Sequence, residues 1–300
     1  MAFVVGVPGY WLAKEVANLS GYYFINSQEK EFPDGELYIR VTEPDKIHDN
    51  DGLIVSTFYP SQDKMFLKTL LLVNAVKNSG AKKVSALIPY LAYSRQDKAF
   101  MPGEPISSCV IVESLKAVGV DVLVTVDVHS PRVLECFKGN SINVIVSDIL
   151  IRRAMSSLEN PVVIAPDRGA IERVSFAANA YGLEYDYLIK QRDRITGEVT
   201  YTPKELSVKK RDIIMVDDII STGGTIAESA KILLRNGARR IIVVATHGLL
   251  VGNALERLES AGVQKVILAD TLGMRHVHFL VDYVNITQRI VDELKRALNY

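Results

Sequence analysis

The sequence has two cysteines, one tryptophan and no excess of charge of either sign, and each scarcity closes off a class of function. Cys109 and Cys136 stand outside any CxxC or Cys/His cluster. That pattern excludes a structural zinc site and argues against a disulfide framework, so the expectation is a chain kept reduced in the cytoplasm, Cys109 in a helix and Cys136 at a strand edge. Lys plus Arg and Asp plus Glu number 35 each. No overall field draws such a chain to nucleic acid or anionic lipid, and any anion site has to be local. No basic stripe interleaved with aromatics marks a nucleic-acid-binding module either. No apolar run reaches the roughly 18 residues that a membrane helix requires. The start, Met1-Ala2-Phe3-Val4-Val5-Gly6, has no basic leader and turns polar by Lys14-Glu15, so neither a membrane span nor a secretory signal is expected.

What is present is regular. Three hundred residues at 48% hydrophobic content suffice for two domains. Short Val/Ile-rich runs at 53–55, 84–88, 122–126, 162–165, 213–216, 241–245 and 266–269 alternate with amphipathic patterns at 65–78, 106–118, 148–158, 169–181, 224–236 and 251–260. Continuous apolar strands separated by helices imply parallel sheets covered on both faces, an α/β class. The pattern also repeats itself. Gly80-Ala81-Lys82-Lys83-Val84 recurs as Gly237-Ala238-Arg239-Arg240-Ile241, and Leu115 to Val120 is echoed by Leu258 to Val263. Two anchors in the same order imply a duplicated α/β domain. The copies differ at one strand end, where Val216-Asp217-Asp218 stands against Val55-Ser56-Thr57.

That acidic strand end opens the most informative stretch, Ile213 to Thr225. An apolar strand ends in Asp217 and Asp218, and Ser221-Thr222-Gly223-Gly224-Thr225 then leads into a helix. In such a loop successive backbone N–H groups converge on an anion at the helix N-terminus, and the glycines allow close approach. No lysine follows the glycines and no GxGxxG is formed, so it is neither a Walker loop nor a dinucleotide fingerprint. Two carboxylates repel a phosphate but suit vicinal hydroxyls. The combination fits a sugar phosphate, with the phosphate on residues 221–225 and ribose hydroxyls on Asp217 and Asp218.

The stretch closely resembles the phosphoribosyl pyrophosphate-binding motif shared by type I phosphoribosyltransferases and ribose-phosphate pyrophosphokinases. Five further segments favour the pyrophosphokinase family, in an archaeal-like form. Phe32-Pro33-Asp34-Gly35-Glu36 resembles the segment that receives adenine, with Phe32 stacking and Asp34 and Glu36 reading the amino edge, in the service of a neighbouring subunit. Arg95-Gln96-Asp97 is similar to the family's Arg-Gln-Asp contact with ATP. Asp127-Val128-His129 resembles its Asp-x-His motif, which implies that His129 binds the metal–ATP end of the site, and Asp167 in Pro166-Asp167-Arg168-Gly169 then supplies a carboxylate to Mg²⁺. Lys190 and Arg192, two apart in a hairpin between strand-like runs at 185–189 and 198–201, fall on one side of a strand and take the place of the family's two catalytic cations. The resemblance implies two tandem type I phosphoribosyltransferase-like domains, 1–146 and 147–286, each a mainly parallel sheet flanked by helices, with a final helix over 287–300 packed on the first. It also implies ATP and ribose 5-phosphate as substrates, Mg²⁺ as cofactor and a homo-oligomer.

Overall fold

The computed structural model describes residues 2–166, 168–192, 199–203 and 208–298. The chain divides into two units: Met1–Val144 with Thr271–Gly273 and Thr287–Tyr300, and Ile145–Asp270 with Met274–Ile286.

The first unit runs β1 (Phe3–Gly6), α1 (Trp11–Ser20), β2 (Tyr23–Ile25), β3 (Ser27–Glu31), β4 (Leu37–Val41), β5 (Asp51–Val55), α2 (Gln62–Asn78), β6 (Lys83–Ile88), α3 (Ser107–Ala117), β7 (Val122–Val126), α4 (Arg132–Cys136) and β8 (Asn140–Val144). The second runs α5 (Ser147–Met155), β9 (Pro161–Ala165), α6 (Ile171–Asn179), β10 (Tyr185–Arg192), β11 (Val199–Pro203), β12 (Asp212–Ile220), α7 (Gly224–Arg235), β13 (Arg240–Gly248), α8 (Ala254–Ser260), β14 (Lys265–Ala269) and β15 (Val281–Val284). A last helix, α9 (Thr287–Leu298), returns to the first unit. It lies on α1, burying Ile290, Val291 and Leu294 and donating from Thr287 Oγ1 to Glu15 Oε2 at 3.0 Å.

The larger sheet of the first unit has the order β2–β1–β5–β6–β7–β8 and is parallel throughout. That of the second is β11–β10–β9–β12–β13–β14–β15, parallel except where β11 folds back on β10. With β11 set aside, the two orders are the same, which is the duplication seen as topology. The sequence repeats fall at equivalent joints: Gly80 and Gly237 follow α2 and α7 with φ of 87° and 89°.

The apolar runs form strands because both faces are covered. Val122–Val126 and Ile213–Val216 are buried without exception. Each such side chain contributes roughly 1.5–3 kcal/mol when fully removed from water. Helix α7 supplies one cover through Ile226, Ala227, Ala230 and Leu233, spaced three and four apart as an amphipathic stripe requires. At the entry to β12, Asp212 is 0% exposed and is met by Arg239 and Arg240 at 2.7 Å and by the Glu159 N–H at 2.8 Å. Burial alone pushes this carboxyl up, but the two guanidinium groups and the amide outweigh it and hold the carboxyl well below the usual range.

Some boundaries differ from the periodicity. Helix α5 stops at Met155 rather than running to 158, since Ser156 and Ser157 donate from their hydroxyls to the Arg153 and Ala154 carbonyls and offer the chain an alternative to the next helical turn. Helix α8 begins at Ala254, after Gly252 turns left-handed with φ 61°.

One expectation is overturned. Cys109 and Cys136 form a disulfide, with Cα atoms 5.2 Å apart. Cys136 lies on α4, not at a strand edge, and α4 packs against the first turns of α3 where Cys109 sits. A spacing of 27 residues gave no hint that the two helices converge.

Candidate active site

In the second unit the order β10–β9–β12 sets the carboxyl ends of three strands side by side, the place where open α/β sheets gather ligands. β12 ends there in Asp217 and Asp218. The chain then turns, and Gly223 caps α7 with φ 69° and no side-chain hydrogen bond to the helix start. A left-handed backbone is inexpensive only for a residue without Cβ, and the first N–H groups of α7 are left for a ligand. Thr222 and Thr225 are exposed, Ser221 and Gly224 partly so, and Gly223 is buried. The loop is held from behind. Arg257 of α8 donates from Nη1 to the Thr222 carbonyl at 2.9 Å, and the Val251 N–H donates to the Ser221 carbonyl at 3.1 Å.

The two carboxyls are unequal. Asp218 is 3% exposed and takes a hydrogen bond and ion pair from Arg173 Nη1 of α6 at 3.2 Å. Asp217 is half-buried, and its Oδ1 accepts the Asp218 N–H at 2.9 Å. Burial, the negative charge of Asp218 and a hydrogen bond between the two carboxyls push Asp217 far above the ordinary range, against a smaller pull from Arg173. The raised group is Asp217, while Asp218 is the one that faces the guanidinium.

Lys190 and Arg192 have backbone places on β10, opposite Tyr201 and Val199 of β11. Their side chains, and Asp167 altogether, lie outside the described residues.

In the first unit β3 and β4 form an antiparallel hairpin. Its turn carries Phe32, Asp34 and Glu36, all exposed, and is closed by the Phe32 N–H on the Glu36 carbonyl, the Gly35 N–H on the Phe32 carbonyl, and the Glu36 N–H on Asp34 Oδ1. Phe32 is 38% exposed, meets Tyr38 edge-on and lies under Lys30 Nζ at 4.7 Å. Between this turn and the start of α2 lies a groove of about 600 Å³ lined by Asp34, Glu36, Asp63, Lys64, Leu67 and Leu71. Asp63 also receives the hydroxyl of Tyr93, a bond that, more than burial, pushes that phenol up. Arg95 next along is exposed. Gln96 is anchored: its Oε1 accepts Ser107 Oγ at 2.5 Å and its carbonyl accepts Ser108 Oγ at 3.0 Å, at the start of α3. Asp97 Oδ2 accepts Ser130 Oγ at 2.7 Å, which ties the 95–97 segment to the residue after His129. His129 is exposed just beyond β7, where Asn143 Oδ1 holds the Val128 N–H at 3.0 Å.

Sequence reasoning missed Arg173, Arg257 and the Asp63–Tyr93 pair. None belongs to a local motif, and only the packing of α6, α8 and α2 brings them in.

Comparison with known proteins shows the family. Residues 3–119 match the N-terminal domain of ribose phosphate pyrophosphokinase, and residues 137–283 match the phosphoribosyl transferase domain. The ribose-phosphate pyrophosphokinase of Saccharolobus solfataricus is 39% identical over 91% of this chain and 94% of its own, and that of Pyrococcus abyssi 38% identical over 94% and 96%. The crystal structure of the phosphoribosylpyrophosphate synthetase from Mycobacterium smegmatis superposes with a TM-score of 0.90 at 26% identity, covering 100% of this chain and 98% of that one. With its motifs in place across two matched domains, this chain belongs to the ribose-phosphate pyrophosphokinase family.

Proposed function

We propose that the chain transfers the pyrophosphoryl group of ATP whole to the C1 hydroxyl of ribose 5-phosphate, giving 5-phosphoribosyl 1-pyrophosphate and AMP for nucleotide biosynthesis. The observation that carries this reading is the loop at the end of β12, where two carboxyls stand beside an open, glycine-capped helix start. The 5-phosphate takes the N–H groups and hydroxyls of Ser221, Thr222, Gly223, Gly224 and Thr225, and the ribose hydroxyls take Asp217 and Asp218. On the ATP side, Phe32 offers a ring face for adenine, Asp34 and Glu36 offer acceptors for its amino group, and Arg95 offers a planar cation to the phosphates. Gln96 and Asp97 support that segment.

In the reaction the C1 hydroxyl oxygen attacks the β-phosphorus in line and gives up its proton to solvent, the bond from that phosphorus to the oxygen bridging the α- and β-phosphorus atoms breaks, and AMP departs with that oxygen. Positioning and charge stabilisation dominate such transfers, and Lys190 and Arg192 are the cations assigned to the migrating group. The residues that the family resemblance assigns to Mg²⁺ are His129, exposed just beyond β7, and Asp167; a hard cation that keeps much of its water needs few protein ligands besides phosphate oxygens. When bound, the ion neutralises phosphate charge.

Assembly into a cytoplasmic homo-oligomer belongs to the same proposal. Phe32, Tyr38 and Leu67 are exposed around the groove beside the hairpin, which suits a surface that a second copy covers. Among the described residues no helix is long and apolar enough to cross a membrane.

The test separates this reaction from that of a nucleobase phosphoribosyltransferase, which releases free pyrophosphate. Supplied with ribose 5-phosphate and ATP, the protein is expected to form AMP with no free pyrophosphate. Release of pyrophosphate, given phosphoribosyl pyrophosphate and a nucleobase, would overturn the assignment.

A further inference from the structure

A carboxylate that is 3% exposed needs a fixed counter-charge, and in this site Asp218 has one supplied from a different element. Arg173 lies in the first turn of α6, a helix that buries Val174, Ala177 and Ala178 in the core of the second unit. Its side chain is 17% exposed, and Nη1 reaches Asp218 Oδ1 at 3.2 Å. Asp218 in turn meets Asp217, through its N–H to Oδ1 at 2.9 Å. A chain of contacts thus runs from α6 to the half-buried carboxyl at the mouth of the sugar-phosphate loop.

We propose that Arg173 is a positioning residue for the sugar: it fixes Asp218, and through Asp218 it fixes Asp217, the pair of carboxyls that meets the ribose hydroxyls. The inference rests on the reading that this pair receives the ribose. Chemically, ionising both of two adjacent carboxyls is costly, and a guanidinium on one of them favours the charged form of that one. Asp218 then presents an acceptor and Asp217 a carboxyl that can donate. A vicinal diol, with a donor and an acceptor on each oxygen, is matched by such an unequal pair better than by two like charges. Without Arg173, Asp218 loses this ion pair, and the pair of carboxyls shifts its charge or its place. Either change disturbs the sugar, whereas the residues assigned to adenine belong to the first unit.

The experiment compares Arg173→Gln, Arg173→Lys, Asp217→Asn, Asp218→Asn and the double variant Arg173→Gln/Asp218→Asn in the full chain, with KM for each substrate, kcat, and a thermal melt as the check on folding. Arg173→Gln is expected to raise KM for ribose 5-phosphate roughly tenfold or more, the effect of one charge-assisted hydrogen bond, with KM for ATP unchanged. Arg173→Lys, which restores the charge at a single-point contact, recovers most of that loss. The double variant is no worse than Asp218→Asn alone, because Arg173 acts through Asp218. Where the glutamine variant does not fold, the lysine variant carries the comparison, with a smaller rise confined to the sugar phosphate. A rise with Asp218→Asn but none with Arg173→Gln overturns the inference and leaves the ribose reading intact. An equal loss in both KM values and kcat, unrelieved by lysine, makes Arg173 merely structural. If neither Asp217→Asn nor Asp218→Asn moves KM for ribose 5-phosphate, the ribose reading itself fails, and the inference with it.

Discussion

Replacing Gly223 by alanine tests the phosphate loop at its tightest point. The residue caps α7 with φ 69°, where a Cβ costs about 1–2 kcal/mol on its own account. That Cβ would also stand 3.3 Å from Leu258 Cγ and 3.4 Å from the Ala254 carbonyl oxygen. The leucine side chain can yield and the carbonyl lies at an ordinary van der Waals separation, so the left-handed backbone sets most of the cost. Together these give a loss of about 1–3 kcal/mol and a fall in Tm of roughly 3–10 °C. The backbone relaxes by rotating the peptides on either side, which turns N–H groups away from the phosphate. One lost hydrogen bond to a charged group raises KM for ribose 5-phosphate by about tenfold or more. Calorimetry without ligand reads the first effect and steady-state kinetics the second. Gly223→Asn, which tolerates the left-handed region better, should recover part of the stability. A Gly223→Ala protein with unchanged Tm and unchanged KM for ribose 5-phosphate would refute the reasoning.

Four further outcomes follow from the structure. Breaking the Cys109–Cys136 bridge, by reductant or by Cys136→Ser, should cost roughly 3–4 kcal/mol for a loop of 27 residues, read by denaturant melts. Thiol titration of the untreated, unfolded protein should find no free thiol. Because Asp217 is held above the ordinary carboxylate range, its folded form keeps a proton that the unfolded chain sheds. The associated stability is full below about pH 4 and is lost as pH rises through the raised value, so melts at increasing pH should show the parent losing ground to Asp217→Asn. Asp212→Asn should destabilise at neutral pH by roughly 1–3 kcal/mol, since a buried carboxylate gives up its charge-assisted hydrogen bonds while the two guanidinium groups, 39% and 31% exposed, stay partly solvated; an acid titration should show that penalty shrinking as the parent Asp212 protonates. Phe32→Ala should raise KM for ATP and leave KM for ribose 5-phosphate alone, as kinetics with each substrate varied will show.

Much of the fold was legible because its signals are local and repeated. Each Val/Ile run is short, flanked by a helix, and buried on both faces, so runs such as Ile213–Val216 read as parallel strands without knowledge of their neighbours. The Asp-Asp and glycine pattern at 217–225 was legible for the same reason, since strand end, turn and helix start adjoin in sequence. What could not be read depends on contacts far apart in the chain. Asp218 and Arg173 are 45 residues apart, and nothing in Ile171-Glu172-Arg173-Val174 distinguishes that arginine from a solvated one. Cys109 and Cys136 likewise meet only because α3 and α4 pack. Gln96 shows the converse, a residue assigned to ATP by its motif whose side chain also anchors a helix start.

The central claim, that a pyrophosphoryl group moves whole, is tested most directly with Mg²⁺, ribose 5-phosphate and ATP labelled at the β-phosphorus. The account predicts label bonded through oxygen to C1 of the ribose, with one AMP formed for each sugar consumed. Label left in ADP, or no AMP at any phosphate concentration, would contradict it.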